Sequence, residues 1–293
     1  MGSHVLWSSR GIAPIVCLAG AIVISTASHA ASQVANGPKQ YYLALGDSIT
    51  YGYQADKHEA RLPPSAFNTG YVDVFATRLR EIQPGITVVN YGCPGESTRS
   101  FLKGPCLWAE SGEQLHDSFT GRQLDAAISF LRTHPGEVSP ITLTLWGNNV
   151  RAFIAGCQGD GICVQNGAFK FIDDLRKDVA KILKELRKEA PDADIIVSGS
   201  WDSFIDDLEF ADPLFQLLNA SMAATAASEG VRFADPFPFF NPQGDLQREK
   251  ETLCALLLLC MPNSDSHPSD LGYQMLGNLV WDVSGYEPGP PDR

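Results

Sequence analysis

A serine stands where an apolar run stops. In "QYYLALGDSIT", Tyr41 to Leu45 fit a buried strand, Gly46 and Asp47 suit a turn, and Ser48 follows at once. One role for such residues is to cap the next helix. The other is chemical, because α/β proteins place reacting groups at the carboxyl ends of parallel strands. A serine hydroxyl is a poor nucleophile at neutral pH and needs a base within hydrogen-bonding reach. The candidate base is His267 in "SDSHPSD", where Pro268 biases it towards extended backbone and suits the first turn of a helix. His58, His116 and His134 lie in polar or loop-like stretches and read as ordinary solvated histidines. Two further turns follow strand-like runs: Gly92 in "NYGCPGEST" and Asn148 in "WGNNV".

The elements that must gather these residues alternate between apolar runs and amphipathic segments. Strand-like runs occupy 41–45, 86–92, 141–147, 193–200 and 231–237. The clearest helix runs from Phe171, with Leu175, Val179, Ile182 and Leu186 on one face, and ends at Pro191. A second segment, 212–229, is stopped by Gly230 as its C′ residue. The last helix follows Pro268 and carries Leu271, Met275, Leu276 and Leu279. Apolar strands joined by helices predict a parallel sheet covered on both faces, an α/β/α sandwich. Long loops are expected at 52–69, 93–120, 156–167 and 238–262.

Residues 1–30 read as a signal peptide: Arg10, the apolar core "IAPIVCLAGAIVI", then Ser28-His29-Ala30 as a small-x-small cleavage pattern. One domain is expected over 36–285, with a frayed tail at 286–293. The net charge is −12, and removing the first thirty residues takes away one arginine and no carboxylate. Such a chain repels phosphate backbones, so nucleic acid is not an expected partner. No stable membrane anchor is expected, and a monomer is the simplest assembly. Six cysteines remain beyond Cys17, clustered as Cys93 and Cys106, Cys157 and Cys163, Cys254 and Cys260. An even count in an exported chain points to disulfides, and of fifteen connectivities the clustering favours local pairing. No G-x-S-x-G, G-x-G-x-x-G, C-x-x-C or H-E-x-x-H pattern occurs, so neither a nucleotide cofactor nor a metal is expected.

Gly46-Asp47-Ser48, Gly92, Gly147-Asn148 and His267-Pro268 occur in an order that resembles the four blocks of the SGNH hydrolases, also called the GDSL esterases and lipases. The resemblance spans roughly residues 40 to 280 and is to secreted bacterial members. It implies a flavodoxin-like, five-stranded parallel sheet and a cofactor-free serine esterase acting through an acyl-enzyme. It assigns Ser48 as nucleophile, His267 as base, and the backbone N–H groups of Ser48 and Gly92 with the Asn148 amide as oxyanion hole.

Two positions depart from the family. Asn149 replaces an aspartate, for which altered loop support is expected. The acid three residues before the histidine is replaced by Ser264, leaving either Asp265 or the Ser264 carbonyl to orient the ring; Asp265 is favoured. Leu256 to Leu259 and "FPFF" at 237–240 read as packing, with an acyl-pocket wall as the alternative. Esters of fatty acids, lipids included, are favoured as small-molecule substrates. A carbohydrate acetylesterase and a binding module without turnover are the competing readings.

Overall fold

The computed structural model describes residues 35–287. The expected signal peptide, with Cys17, and the last six residues lie outside the described residues.

Five strands form one parallel sheet: β1 (Tyr41–Gly46), β2 (Thr87–Asn90), β3 (Val138–Thr144), β4 (Ile195–Ser198) and β5 (Arg232–Ala234). Their order is β2-β1-β3-β4-β5, the flavodoxin-like arrangement expected from the sequence. Chain direction across the sheet reverses at β1, so its carboxyl end and that of β3 border a crevice. β3 begins three residues before the apolar run that signals it. Pro140 obscures this start, and a register shift between Tyr41 and Leu43 accommodates it.

Alternation along β1 explains the layers. Leu43 and Leu45 point into one core, Tyr42 and Ala44 into the other. The first core is covered by α3 (Thr98–Lys103), α4 (Gln123–Thr133), α6 (Gly161–Glu189) and α7 (Leu208–Ser228). The second is covered by α2 (Tyr71–Ile82), α8 (Leu246–Leu256) and α9 (Asp270–Ser284). Two short segments complete the frame, α1 (Ser48–Tyr51) after β1 and α5 (Gly147–Gly156) after β3.

Several expected loops are partly helical. α6 starts ten residues before Phe171, because the Asp160 side chain caps it through the Ile162 N–H at 2.9 Å. The Cys157–Cys163 disulfide closes that turn. Within 238–262, α8 is capped by Asp245, which accepts from the N–H groups of Gln247 and Arg248. α9 begins later than Pro268 implies, with Ser269 as its cap.

The chain also stays packed past residue 285. Tyr286, assigned to the tail on composition, is buried, and its hydroxyl donates to Asp194 Oδ2 at 2.9 Å. Asp194 is itself buried ahead of β4 and accepts from the N–H groups of Asn36 and Gly37 and from Arg232. One carboxylate thus ties both ends of the described chain to the amino edge of the sheet, opposite the Ser48 edge. Asp194→Ala removes the acceptor for all of them. It should cost about 3 kcal/mol and lower Tm by roughly 6–12 °C, while Ser48 keeps its reactivity. Calorimetry read beside active-serine titration checks this; a Tm loss with a parallel loss of Ser48 reactivity would contradict the separation of the two edges.

Candidate active site

Gly46 shapes the exit from β1. Its φ is +135°, and a Cβ there would stand 1.9 Å from the Thr144 carbonyl. Only glycine lets β1 run this close to β3 before turning. Asp47 then caps α1, accepting from the Ile49 N–H at 2.9 Å. It is buried and a cap at once. Burial pushes its carboxyl up to about 7 against the pull of these hydrogen bonds. Ser48 is therefore the first residue of a helical turn, with its N–H free of an intrahelical acceptor.

His267 arrives from the far end of the chain, and its Nε2 lies 2.8 Å from Ser48 Oγ. Its Nδ1 lies 2.5 Å from Asp265 Oδ1. An ionised carboxylate only accepts, so Nδ1 carries the proton and Nε2 is left to accept from the serine hydroxyl. Asp265 reaches the ring from two residues away because Ser264 takes left-handed backbone, with φ +48°. Its Oδ2 accepts from the Ala55 N–H at 2.8 Å. Burial raises the Asp265 carboxyl, but the hydrogen bonds and charge of His267 outweigh it and hold it below the ordinary range. Of the two orienters left open by the sequence, the side chain occupies the position.

Asn148 lies at the start of α5, and its Nδ2 donates to the Glu96 carbonyl at 2.8 Å. Its second N–H remains for the cleft. Asn149, the departure from the family pattern, accepts from the Thr98 N–H and donates to Thr98 Oγ1, both at 3.0 Å. It clamps the start of α3, which is the loop support expected of it.

Gly92 does not fit the role assigned to it. Its N–H already donates to Asn90 Oδ1 at 2.8 Å, and a Cβ there would meet Tyr51 N at 2.5 Å. It packs behind α1. Gly95, three residues on in the same "NYGCPGEST" string, lines the cleft with φ +85° and donates no hydrogen bond among the described residues. Sequence reading chose the glycine next to the strand. The side chain of Asn90, which also donates to the Thr50 carbonyl, turns the chain once more before it faces the site.

A buried pair behind the site was not legible either. Gln123 accepts from the Gly46 N–H at 2.6 Å, donates back to the Gly46 carbonyl, and donates to Glu96 Oε2 at 3.2 Å. Glu96 Oε1 has no partner among the described residues, and burial with nearby Asp47 pushes this carboxyl up to about 7. His116 is likewise no solvated histidine: its Nε2 donates to the Tyr51 carbonyl, and burial lowers its pKa.

The serine and histidine open into a cleft of about 530 Å³ lined by Tyr53, Trp108, Trp146, Trp201, Phe204 and Phe215 among others. The Tyr53 ring lies 4.7 Å from that of His267. Neither Leu256–Leu259 nor "FPFF" lines this cleft. Leu256, Leu257, Phe237 and Phe240 are buried in the cores, the packing role expected of them, whereas Leu258 and Leu259 are half-buried and Phe239 is exposed. All six cysteines pair locally, as the clustering favours. Among the described residues no His, Cys, Asp or Glu cluster fits a metal ion.

The model of the GDSL-like lipase/acylhydrolase family matches residues 44–275. No curated protein matches the sequence. Similar solved structures include an extracellular lipase from Streptomyces rimosus, 18% identical with a TM-score of 0.55 over 82% of this chain and 99% of that one. A phospholipase A1 from Streptomyces albidoflavus is 16% identical, with a TM-score of 0.53 over 84% and 99%. An acetylxylan esterase from Geobacillus stearothermophilus is 17% identical, with a TM-score of 0.53 over 87% and 99%. At these identities the likeness is one of fold, whereas the family match covers most of the sequence. The chain belongs to the GDSL-like lipase/acylhydrolase family.

Proposed function

We propose that this protein is an exported serine hydrolase of carboxylic esters. The observation that carries the reading is the 2.8 Å approach of Ser48 Oγ to His267 Nε2, with Asp265 2.5 Å behind the ring. Ser48 Oγ attacks the ester carbonyl carbon while its proton passes to His267 Nε2, and Asp265 stabilises the imidazolium. Negative charge gathers on the carbonyl oxygen, where the Ser48 and Gly95 N–H groups and the second Asn148 N–H are the proposed donors. His267 returns the proton to the leaving alkoxide, giving an acyl-enzyme and free alcohol. Water then repeats the cycle on the acyl-enzyme and releases the acid. Export is supported by the residue pattern of 1–30 and by three disulfides. No helix among the described residues is long and apolar enough to cross a membrane.

An aliphatic acyl ester, lipids included, is the proposed substrate. The support is the aromatic and aliphatic lining beside Ser48, which offers far more apolar wall than an acetyl group needs. Rates on p-nitrophenyl esters of increasing chain length should rise beyond acetate. A strict preference for acetate would replace this reading with a carbohydrate acetylesterase.

A fluorophosphonate should add its mass to the peptide that carries Ser48, and His267→Ala should abolish the labelling. Binding of ester analogues with no Ser48 adduct at any pH would make the protein a binding module instead.

Glu96 makes a pH prediction. Its folded-state pKa of about 7 lies above the ordinary 4.5, so the folded state holds the proton more tightly than the unfolded chain. Its contribution is full below about pH 4.5 and is lost as pH rises through 7, by roughly 3 kcal/mol at most. Glu96→Gln keeps the shape of the protonated form and does not ionise. The Tm advantage of the variant over the parent should grow from pH 5 to pH 8 and then level off. A difference independent of pH would mean that Glu96 is ionised in the folded protein throughout.

A further inference from the structure

Among the described residues, Arg151 is the only arginine or lysine that lines the cleft. It lies three residues after Asn148 on α5, hence on the same face of that helix and about 4.5 Å further along it. Its Nη1 donates to Ser266 Oγ at 2.6 Å. Ser266 separates Asp265 from His267, so this contact holds the guanidinium at the mouth of the site.

The arginine has no carboxylate partner among the described residues. The acidic residues lining the same cleft are Asp47, Glu59 and Asp265. Asp47 is buried and caps α1, and Asp265 is engaged by His267 and the Ala55 N–H. Glu59 is exposed and forms no ion pair with Arg151. A neutral hydroxyl satisfies one of five guanidinium donors and leaves its charge unmatched. In a chain of net charge −12, carboxylates are plentiful, yet none among the described residues closes on this cation.

We propose that Arg151 is a specificity-determining residue that selects esters carrying an anionic group, a phosphate or a carboxylate, a few bonds from the scissile carbonyl. This rests on the reading of Ser48 as the nucleophile. The planar fork of the guanidinium matches either oxyanion in a bidentate manner. Asn148 and Arg151 on one helix face then divide the substrate between them: the amide takes the charge that develops during reaction, and the arginine takes the charge that is already there.

The test compares wild-type and Arg151→Gln proteins on two matched pairs of monomeric esters. Dihexanoylglycerol is set against its phosphomethanol diester, which carries the anion on the alcohol side. p-Nitrophenyl butyrate is set against the p-nitrophenyl monoester of adipic acid, which carries it on the acid side. In one pair the anionic ester should be preferred, and Arg151→Gln should cut the anionic-to-neutral ratio of kcat/KM about tenfold. Arg151→Lys should recover part of that ratio, and the pair affected tells which side of the ester faces the arginine. Ratios unchanged in both pairs, or equal losses on anionic and neutral esters, would overturn the proposal and leave Arg151 as a strut for Ser266. Failure of the wild type on all four esters would count against the hydrolase reading alone. Calorimetric binding of the phosphomethanol diester to Ser48→Ala, with and without Arg151→Gln, then decides: tenfold weaker binding supports the proposal and equal binding overturns it.

Discussion

The hydrogen bond between Ser48 and His267 joins residues 219 positions apart in sequence, and much of the surrounding structure serves to keep it short. The serine end is fixed by the sheet. The histidine end is not, because it lies in an irregular segment ahead of α9. That segment is held by the chain on its other side: the Leu258 N–H donates to the His267 carbonyl at 3.0 Å, and the Ser269 N–H donates to the Leu256 carbonyl at 2.8 Å. Gly272 lets α9 approach, since a Cβ there would stand 2.1 Å from the Leu256 carbonyl. The Cys254–Cys260 disulfide brackets these same leucines. The leucine-rich stretch therefore works as a brace for His267.

The opposite side of the site is organised by buried polar groups. Gln123 joins Gly46 to Glu96, the Glu96 carbonyl holds Asn148, and Asn149 holds Thr98. The nucleophile turn, the second loop and the third loop thus share one network. Its cost is visible in carboxyls kept from water: Asp47 and Glu96 are pushed up to about 7. A neutral buried acid is less costly than an ionised one. Stability is given up here to hold donors and acceptors in fixed positions.

How far this could be read from sequence follows from the range of each interaction. The parallel sheet follows from local apolar runs and helical spacing, its flavodoxin-like order from the family resemblance, and Ser48, Asn148 and His267 were legible because each sits beside such an element. Asp265 was legible by chemistry, but its reach depends on the backbone of Ser264, which no residue type at that position signals. Gly92 was misread for a related reason. Two glycines three apart in one turn look alike until the side chain of Asn90 claims the first. Glu96 and Gln123 lie 27 residues apart and carry no motif, so their partnership appears only once the strands have brought them together. Tyr286 looked like tail because the prolines and glycines after it dominate the local composition, while its partner Asp194 is 92 residues away.

The division of labour between frame and loops bears on substrate choice. A lipase and an acetylxylan esterase share this fold at 18% and 17% identity to the present chain, so the sheet that aligns a serine, an asparagine and a histidine does not select the ester. What can differ between such proteins is the set of side chains that line the cleft rather than the shared sheet. Here Tyr53 comes from the segment after α1, Trp108 from the helical turn that directly follows Cys106, and Phe204 from the loop after β4. Two residues past the Cys93–Cys106 bridge, Trp108 packs against the rings of Tyr53 and His58, at 5.8 and 4.8 Å. A wall of rings packed on one another is already formed before a ligand arrives, so apolar surface is met without first ordering a loop, and less of the binding energy is lost to ordering.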